Sequence, residues 1–88
     1  MKRGHCIGID VHCASCEIAV VNSSGRTVRR DRCATTIAAL TPIIESVPRP
    51  RQLVFEEGPM AGWLWRNLRL LVNDIVVAVR DRNNQPDP

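Results

Sequence analysis

The sequence predicts an α/β domain on a mixed five-stranded sheet of strand order 3-2-1-4-5. Three observations carry that expectation. Short β-branched runs stand at His5 to Asp10 and at Glu17 to Val21, with a polar turn, Val11 to Ser15, between them. A third run, Arg26 to Cys33, follows Asn22-Ser-Ser-Gly25, which has hairpin-turn chemistry. Two later apolar runs, Gln52 to Phe55 and Asp74 to Val79, each follow a stretch with helical periodicity. Strand–helix–strand connections are right-handed and lie on the sheet, which makes the first, fourth and fifth strands parallel neighbours.

The first run, within His5-Cys-Ile-Gly-Ile-Asp-Val-His12, reads as a buried strand that delivers its only acid, Asp10, at its far end. A carboxylate there costs several kcal/mol unless it is paired, protonated or bound to a metal ion. Gly8, two residues earlier on the same face, leaves room for a ligand to approach. In the third run Val28, Arg30 and Arg32 fall on one side and Thr27, Arg29 and Asp31 on the other. So many charges on a strand mark a sheet edge.

Thr35 and Thr36 are N-cap candidates for a helix over Ile37 to Val47, whose apolar face is Ile37, Leu40, Ile44 and Val47. Pro42 either kinks this helix or starts a new turn capped by Thr41. Pro48-Arg-Pro-Arg51 ends it, and the fourth strand runs into Glu56-Glu57. Past the Gly58-Pro59 turn, a second helix is expected over Ala61 to Asn73. Leu64, Trp65, Leu68, Leu71 and Val72 form its apolar stripe, and Arg66, Arg69 and Asn73 its polar side. Residues 1–82 read as one domain, and Asn83 to Pro88 as a frayed, disordered tail.

Composition narrows the classes. With 88 residues and 44% apolar content the chain is one small globular domain. Its net charge of +3, carried almost wholly by arginine with Lys2 the only lysine, permits a polyanionic partner without demanding one. Asp10 interrupts any signal-peptide core, and no apolar window approaches the roughly eighteen residues of a membrane span. The expected compartment is the cytoplasm, where Cys6, Cys13, Cys16 and Cys33 stay reduced.

In the expected sheet the strand order reverses between the first and fourth strands, and a ligand crevice is expected outside their carboxyl ends. Asp10 and Glu56 both land there. Two carboxylates at adjacent strand ends are oxygen donors for Mg2+ or Mn2+, the ions of phosphodiester transfer. A glycosidase also pairs acids, but it needs a sugar cleft that so small a domain can hardly supply. The plainer alternative has Asp10 capping a turn and Glu56 or Glu57 in a surface ion pair with an arginine.

Gly8-Ile-Asp-Val-His12, Val54-Phe-Glu56 continuing into Glu57-Gly-Pro59, and Leu64-Trp-Arg66 together resemble the N-terminal part of the DEDD transposases of bacterial insertion sequences, the IS-one-ten group. The catalytic domain of that family is RuvC-like, within the wider RNase H-like fold. A G-I-D-V-x strand carries its first acid, matched by Asp10, and an E-A-G-P segment its second, matched by Glu56. Glu57 stands where the family usually has alanine. The resemblance runs from Ile7 to about Asp81. It implies metal-dependent DNA strand cleavage and exchange with Asp10 and Glu56 as metal ligands, and Mg2+ or Mn2+ as cofactor. It further implies DNA as substrate, an element-encoded RNA as guide, and a homo-oligomer.

The family's closing D-x-x-D pair has no counterpart here, since Asp81 and Asp87 lack the spacing, and its second domain with a catalytic serine is missing too. The chain therefore reads as an N-terminal fragment, inactive alone. G-I-D also opens actin-like ATPases and sugar kinases, but those place glycine two residues after the Asp, where this chain has His12. A non-catalytic binding or dimerisation remnant is the other alternative.

His12 and Glu57 are accessory candidates at the crevice, and Arg29, Arg30, Arg32, Arg49 and Arg51 are candidate contacts to DNA backbone. Cys13-Ala-Ser-Cys16 has the spacing of half a zinc site, with Cys33, Cys6, His5 and His12 as further donors, but no second spaced pair exists and free thiols are the default. Aromatic residues are too few for a base-stacking platform. Trp63 and Trp65 read as packing residues, or as a surface for another domain or a second copy.

Overall fold

The computed structural model describes residues 4–79. The expected Arg80-Asp-Arg82 segment, the tail, and Asp81 and Asp87 lie outside the described residues. Five strands, β1 (His5–Val11), β2 (Ser15–Val21), β3 (Thr27–Ala34), β4 (Arg51–Glu56) and β5 (Asp74–Ala78), form one sheet in the order β3-β2-β1-β4-β5. β1, β4 and β5 run parallel, and β2 is antiparallel to both β1 and β3. This is the mixed sheet expected of an RNase H-like fold, with the helices α1 (Ile37–Glu45) and α2 (Ala61–Leu68) in the two connections.

Local chemistry explains each turn. Asn22 closes the β2–β3 hairpin: its Oδ1 accepts the N–H of Ser24 (3.0 Å) and of Arg26 (3.1 Å), and Gly25 supplies the positive φ of 84°. Thr36 is the helix cap, its Oγ1 accepting the N–H of Ala39 at 3.1 Å. Pro42 sits inside α1 without ending it, and Thr41, instead of capping a new turn, donates its hydroxyl to the Ile37 carbonyl at 2.7 Å. The second helix is shorter than its periodicity suggests. It ends at Leu68, and Arg69–Leu71 tightens into a single 3-10 turn before β5.

The core lies on one side of the sheet. Ile7 and Ile9, Cys16, Ile18 and Val20, and Leu53 and Phe55 are buried, and the strand register puts them all on one face beneath Leu40, Ile44, Leu64, Leu68 and Val72. β1 leads to β4 and β4 to β5 in the same direction across the sheet, so connections of one hand lie on one face. The opposite face carries Cys6, Gly8, Asp10, Glu17, Ala19, Val54, Glu56 and Val76, none of them buried. β1 is therefore buried on one face only. Trp65 also departs from expectation: it points outward, 46% exposed, with the Arg69 guanidinium 5.2 Å from its ring centroid, while Trp63 packs against the core.

Among the described residues no helix is long and apolar enough to cross a membrane.

Candidate functional site

Gly8 pairs with Val54 in the parallel β1–β4 register. Asp10 and Glu56 each stand two residues further along these strands, and side chains alternate faces, so both carboxylates leave the sheet on its uncovered side. Both line one open cleft, together with Gly8, His12, Arg30 and Gly58. A Cβ at Gly8 would meet only the Ala19 carbonyl oxygen, at an ordinary 3.8 Å, so the floor between the acids is flat and open.

The environment of Asp10 differs from that of a buried acid. Its side chain is 72% exposed, and its Oδ2 lies 3.3 Å from the Nε2 of His12, itself 57% exposed. Open-face geometry therefore relieves the desolvation cost that the sequence pattern implies. Asp10 also stands directly across the antiparallel ladder from Glu17, which in turn stands across from Arg32. Glu17 is missing from the sequence-derived site, although the short turn after Val11 fixes the hairpin register and sets it opposite Asp10. Glu57 is exposed, and its backbone N–H bonds the Ala78 carbonyl at 2.9 Å, which anchors the end of β4 to β5.

The five arginines expected on DNA are split by the fold. Arg30 and Arg32 lie on the uncovered face, Arg30 lining the same cleft as the acids. Arg29 points to the helix side, where its guanidinium pairs with Asp31 and donates to Ser46 Oγ at 2.6 Å. Arg49 lies at the opposite end of the sheet and donates to Asn73 Oδ1 and the Leu71 carbonyl, both at 3.2 Å.

Arg51 leaves the DNA-facing set altogether. It is only 6% exposed, and its guanidinium donates to the carbonyls of Leu71 (2.7 Å), Val47 (2.8 Å) and Glu45 (3.4 Å). A cation on the carbonyls at and just past the end of α1 and at the end of the 3-10 turn that follows α2 caps both segments. Burial, with neighbouring Arg49 adding and Glu45 opposing, lowers its pKa from the ordinary guanidinium value. The sequence did hold a signal for this. Arg51, Leu53 and Phe55 alternate along β4, which places the arginine on the core face.

The cysteines divide as well. Cys16 is buried on the helix side and its thiol donates to Thr35 Oγ1 at 3.5 Å, whereas Cys13 is exposed. Cys6 lies on the uncovered face and Cys33 opposite Cys16 on the helix face. Burial raises the Cys6 thiol pKa, and burial first, then Cys16 and Asp31, raises that of Cys33.

Two exposed carboxylates on one face are hard oxygen donors, and Mg2+ typically takes one or two carboxylates and fills its remaining positions with water and substrate phosphate. Asp10 and Glu56 supply two such oxygen donors on the same face. Among the described residues no three His, Cys, Asp or Glu side chains gather to hold a metal ion.

Fold and site define an α/β sheet that presents a carboxylate pair at the reversal of its strand order. No protein-family model matches the sequence, and no curated protein matches it significantly.

Proposed function

We propose that this chain is the carboxylate-bearing sheet of a DEDD-type insertion-sequence transposase, built for metal-dependent DNA strand cleavage and exchange in an assembly that supplies the remaining acids. One observation carries this reading: Asp10 and Glu56 end adjacent parallel strands on the same uncovered face, at the point where the strand order reverses. Asp10 and Glu56 would hold Mg2+ or Mn2+, which supplies charge stabilisation at a phosphodiester. The open floor at Gly8 admits a sugar-phosphate backbone, and Arg30 and Arg32 offer it cations on the same face. DNA is the partner this arrangement suits best. An element-encoded RNA and a second copy of the chain follow from the resemblance alone.

A second reading, a non-catalytic binding or dimerisation module, draws support from the absence of a three-donor cluster among the described residues. Mn2+ titration followed by electron paramagnetic resonance separates the two. Weak binding lost in both Asp10→Ala and Glu56→Ala, with unchanged urea midpoints, supports the transposase reading. Binding that is absent, or indifferent to both substitutions, leaves the module. Heat protection by ATP would overturn both in favour of an actin-like or sugar-kinase-type ATPase.

A further inference from the structure

We infer that Cys16 and Cys33 are a redox switch: oxidised, they close a reversible disulfide that fastens the edge strand β3 to β2. This stands apart from the carboxylate reading. The two residues are direct partners in the antiparallel β2–β3 register, so both side chains leave the sheet toward the helices. Both are free thiols. The Thr35 N–H bonds the Ala14 carbonyl, and rungs of an antiparallel ladder recur every second residue, which makes Cys16 and Cys33 a hydrogen-bonded pair. The Cα atoms of such a pair lie about 5.5 Å apart, within the roughly 4.4–6.8 Å that a disulfide spans. The thiols also sense each other: after burial, Cys16 is the next cause that raises the Cys33 pKa. The other two cysteines are placed differently, Cys6 on the opposite face and Cys13 exposed in the turn after β1.

The Cβ atoms of a cross-strand pair lie about 4.5–5.5 Å apart, and a disulfide draws them in to about 3.5–4.5 Å. Closure therefore strains the bond and makes it easier to reduce, which suits a switch better than a permanent staple. The oxidant is a small-molecule disulfide such as oxidised glutathione. Cys33, the less buried of the two, gives its proton to water, and its thiolate attacks one glutathione sulfur, releasing a glutathione thiolate. The Cys16 thiolate then attacks the Cys33 sulfur of the mixed disulfide, and a second glutathione thiolate leaves. Two protein thiols are oxidised and one glutathione disulfide is reduced. The thiol hydrogen that Cys16 donates to Thr35 Oγ1 is lost in the same step. Among the described residues β2 is the only sheet neighbour of β3, so the link fastens the strand that carries Arg30 and Arg32.

The test equilibrates the full chain with oxidised and reduced glutathione, blocks the remaining thiols with iodoacetamide, and maps linkages by digestion and mass spectrometry. A Cys6→Ser/Cys13→Ser chain, which keeps only this pair, is run beside wild type. The expected result is a Cys16–Cys33 link in both, opened again by reduced glutathione. The linked chain should have the higher urea midpoint, because closing the intervening loop restricts the unfolded state. Cys16→Ser should leave Cys33 able to carry glutathione only. Mixed glutathione adducts without a link, or a Cys13–Cys16 link in place of this one, overturn the inference. So does a link that survives reduced glutathione, or a linked chain whose urea midpoint is no higher than that of the reduced chain.

Discussion

Arg51 and Asn73 hold each other through the backbone: Asn73 Oδ1 accepts the Arg51 N–H at 3.0 Å, and the Asn73 N–H donates to the Arg51 carbonyl at 2.9 Å. This clamp joins the start of β4 to the start of β5. From it the Arg51 guanidinium reaches three carbonyls of the helical segments. The helix layer is thus tied to the sheet by one buried cation. Arg51→Met keeps the apolar stem but strands those carbonyls, and hydrogen bonds to charged groups contribute about 1.5–3 kcal/mol each. A loss of at least about 3 kcal/mol is expected from urea unfolding. An Arg51→Met midpoint equal to that of wild type would contradict the capping role.

DNA affinity should separate the arginines by face. Arg30→Ala and Arg32→Ala are each expected to weaken binding of a short duplex and to lower the slope of log K against log salt by about one, as loss of one phosphate contact does. Arg49→Ala, at the other end of the sheet, should leave both unchanged. Fluorescence anisotropy across a salt series checks this, and equal losses in all three variants would count against a face-specific contact.

Gly4 and Gly8 should respond oppositely to alanine. A Cβ at Gly4 would run into the Pro50 carbonyl, a backbone atom that cannot swing away, while one at Gly8 meets nothing closer than 3.8 Å. Gly4→Ala should cost about 1–3 kcal/mol, the range for overpacking a tight site. Gly8→Ala should leave stability within about 1 kcal/mol of wild type, or raise it. Thermal unfolding of the two variants side by side is sufficient.

Cys6 and Cys33 make stability fall in alkali. Both thiols have raised pKa values in the folded chain, so on raising pH the unfolded chain loses these protons first. Their contribution is fully present below the ordinary thiol pKa and is lost as pH climbs from there through the raised folded values. Urea midpoints measured across that window should decline, and the decline should flatten in Cys6→Ala and in Cys33→Ala. An unchanged slope in both would show that other groups control alkaline unfolding.

Much of the site is legible in the sequence. The Asn22–Gly25 turn, the Thr36 cap and the β-branched runs of β1 and β4 are local signals, and each formed the element it indicates. The carboxyl ends of β1 and β4 follow from those elements plus the hand of the connections. The lengths of α2 and the placement of Trp65 did not follow. A helical stripe of apolar residues says which face can be buried, and only the neighbouring sheet decides how far the burial extends.

By itself the sequence determined the order of the strands, their pairing and the strand ends at which Asp10 and Glu56 stand, because periodicity, turn chemistry and connection handedness are properties of short segments. Only the tertiary structure decided that one face stays open, that Arg51 is a buried cap, and that His12 lies within reach of Asp10. Those outcomes depend on which groups compete for the same carbonyls and the same space. Such competition is settled only once residues distant in the chain are packed together.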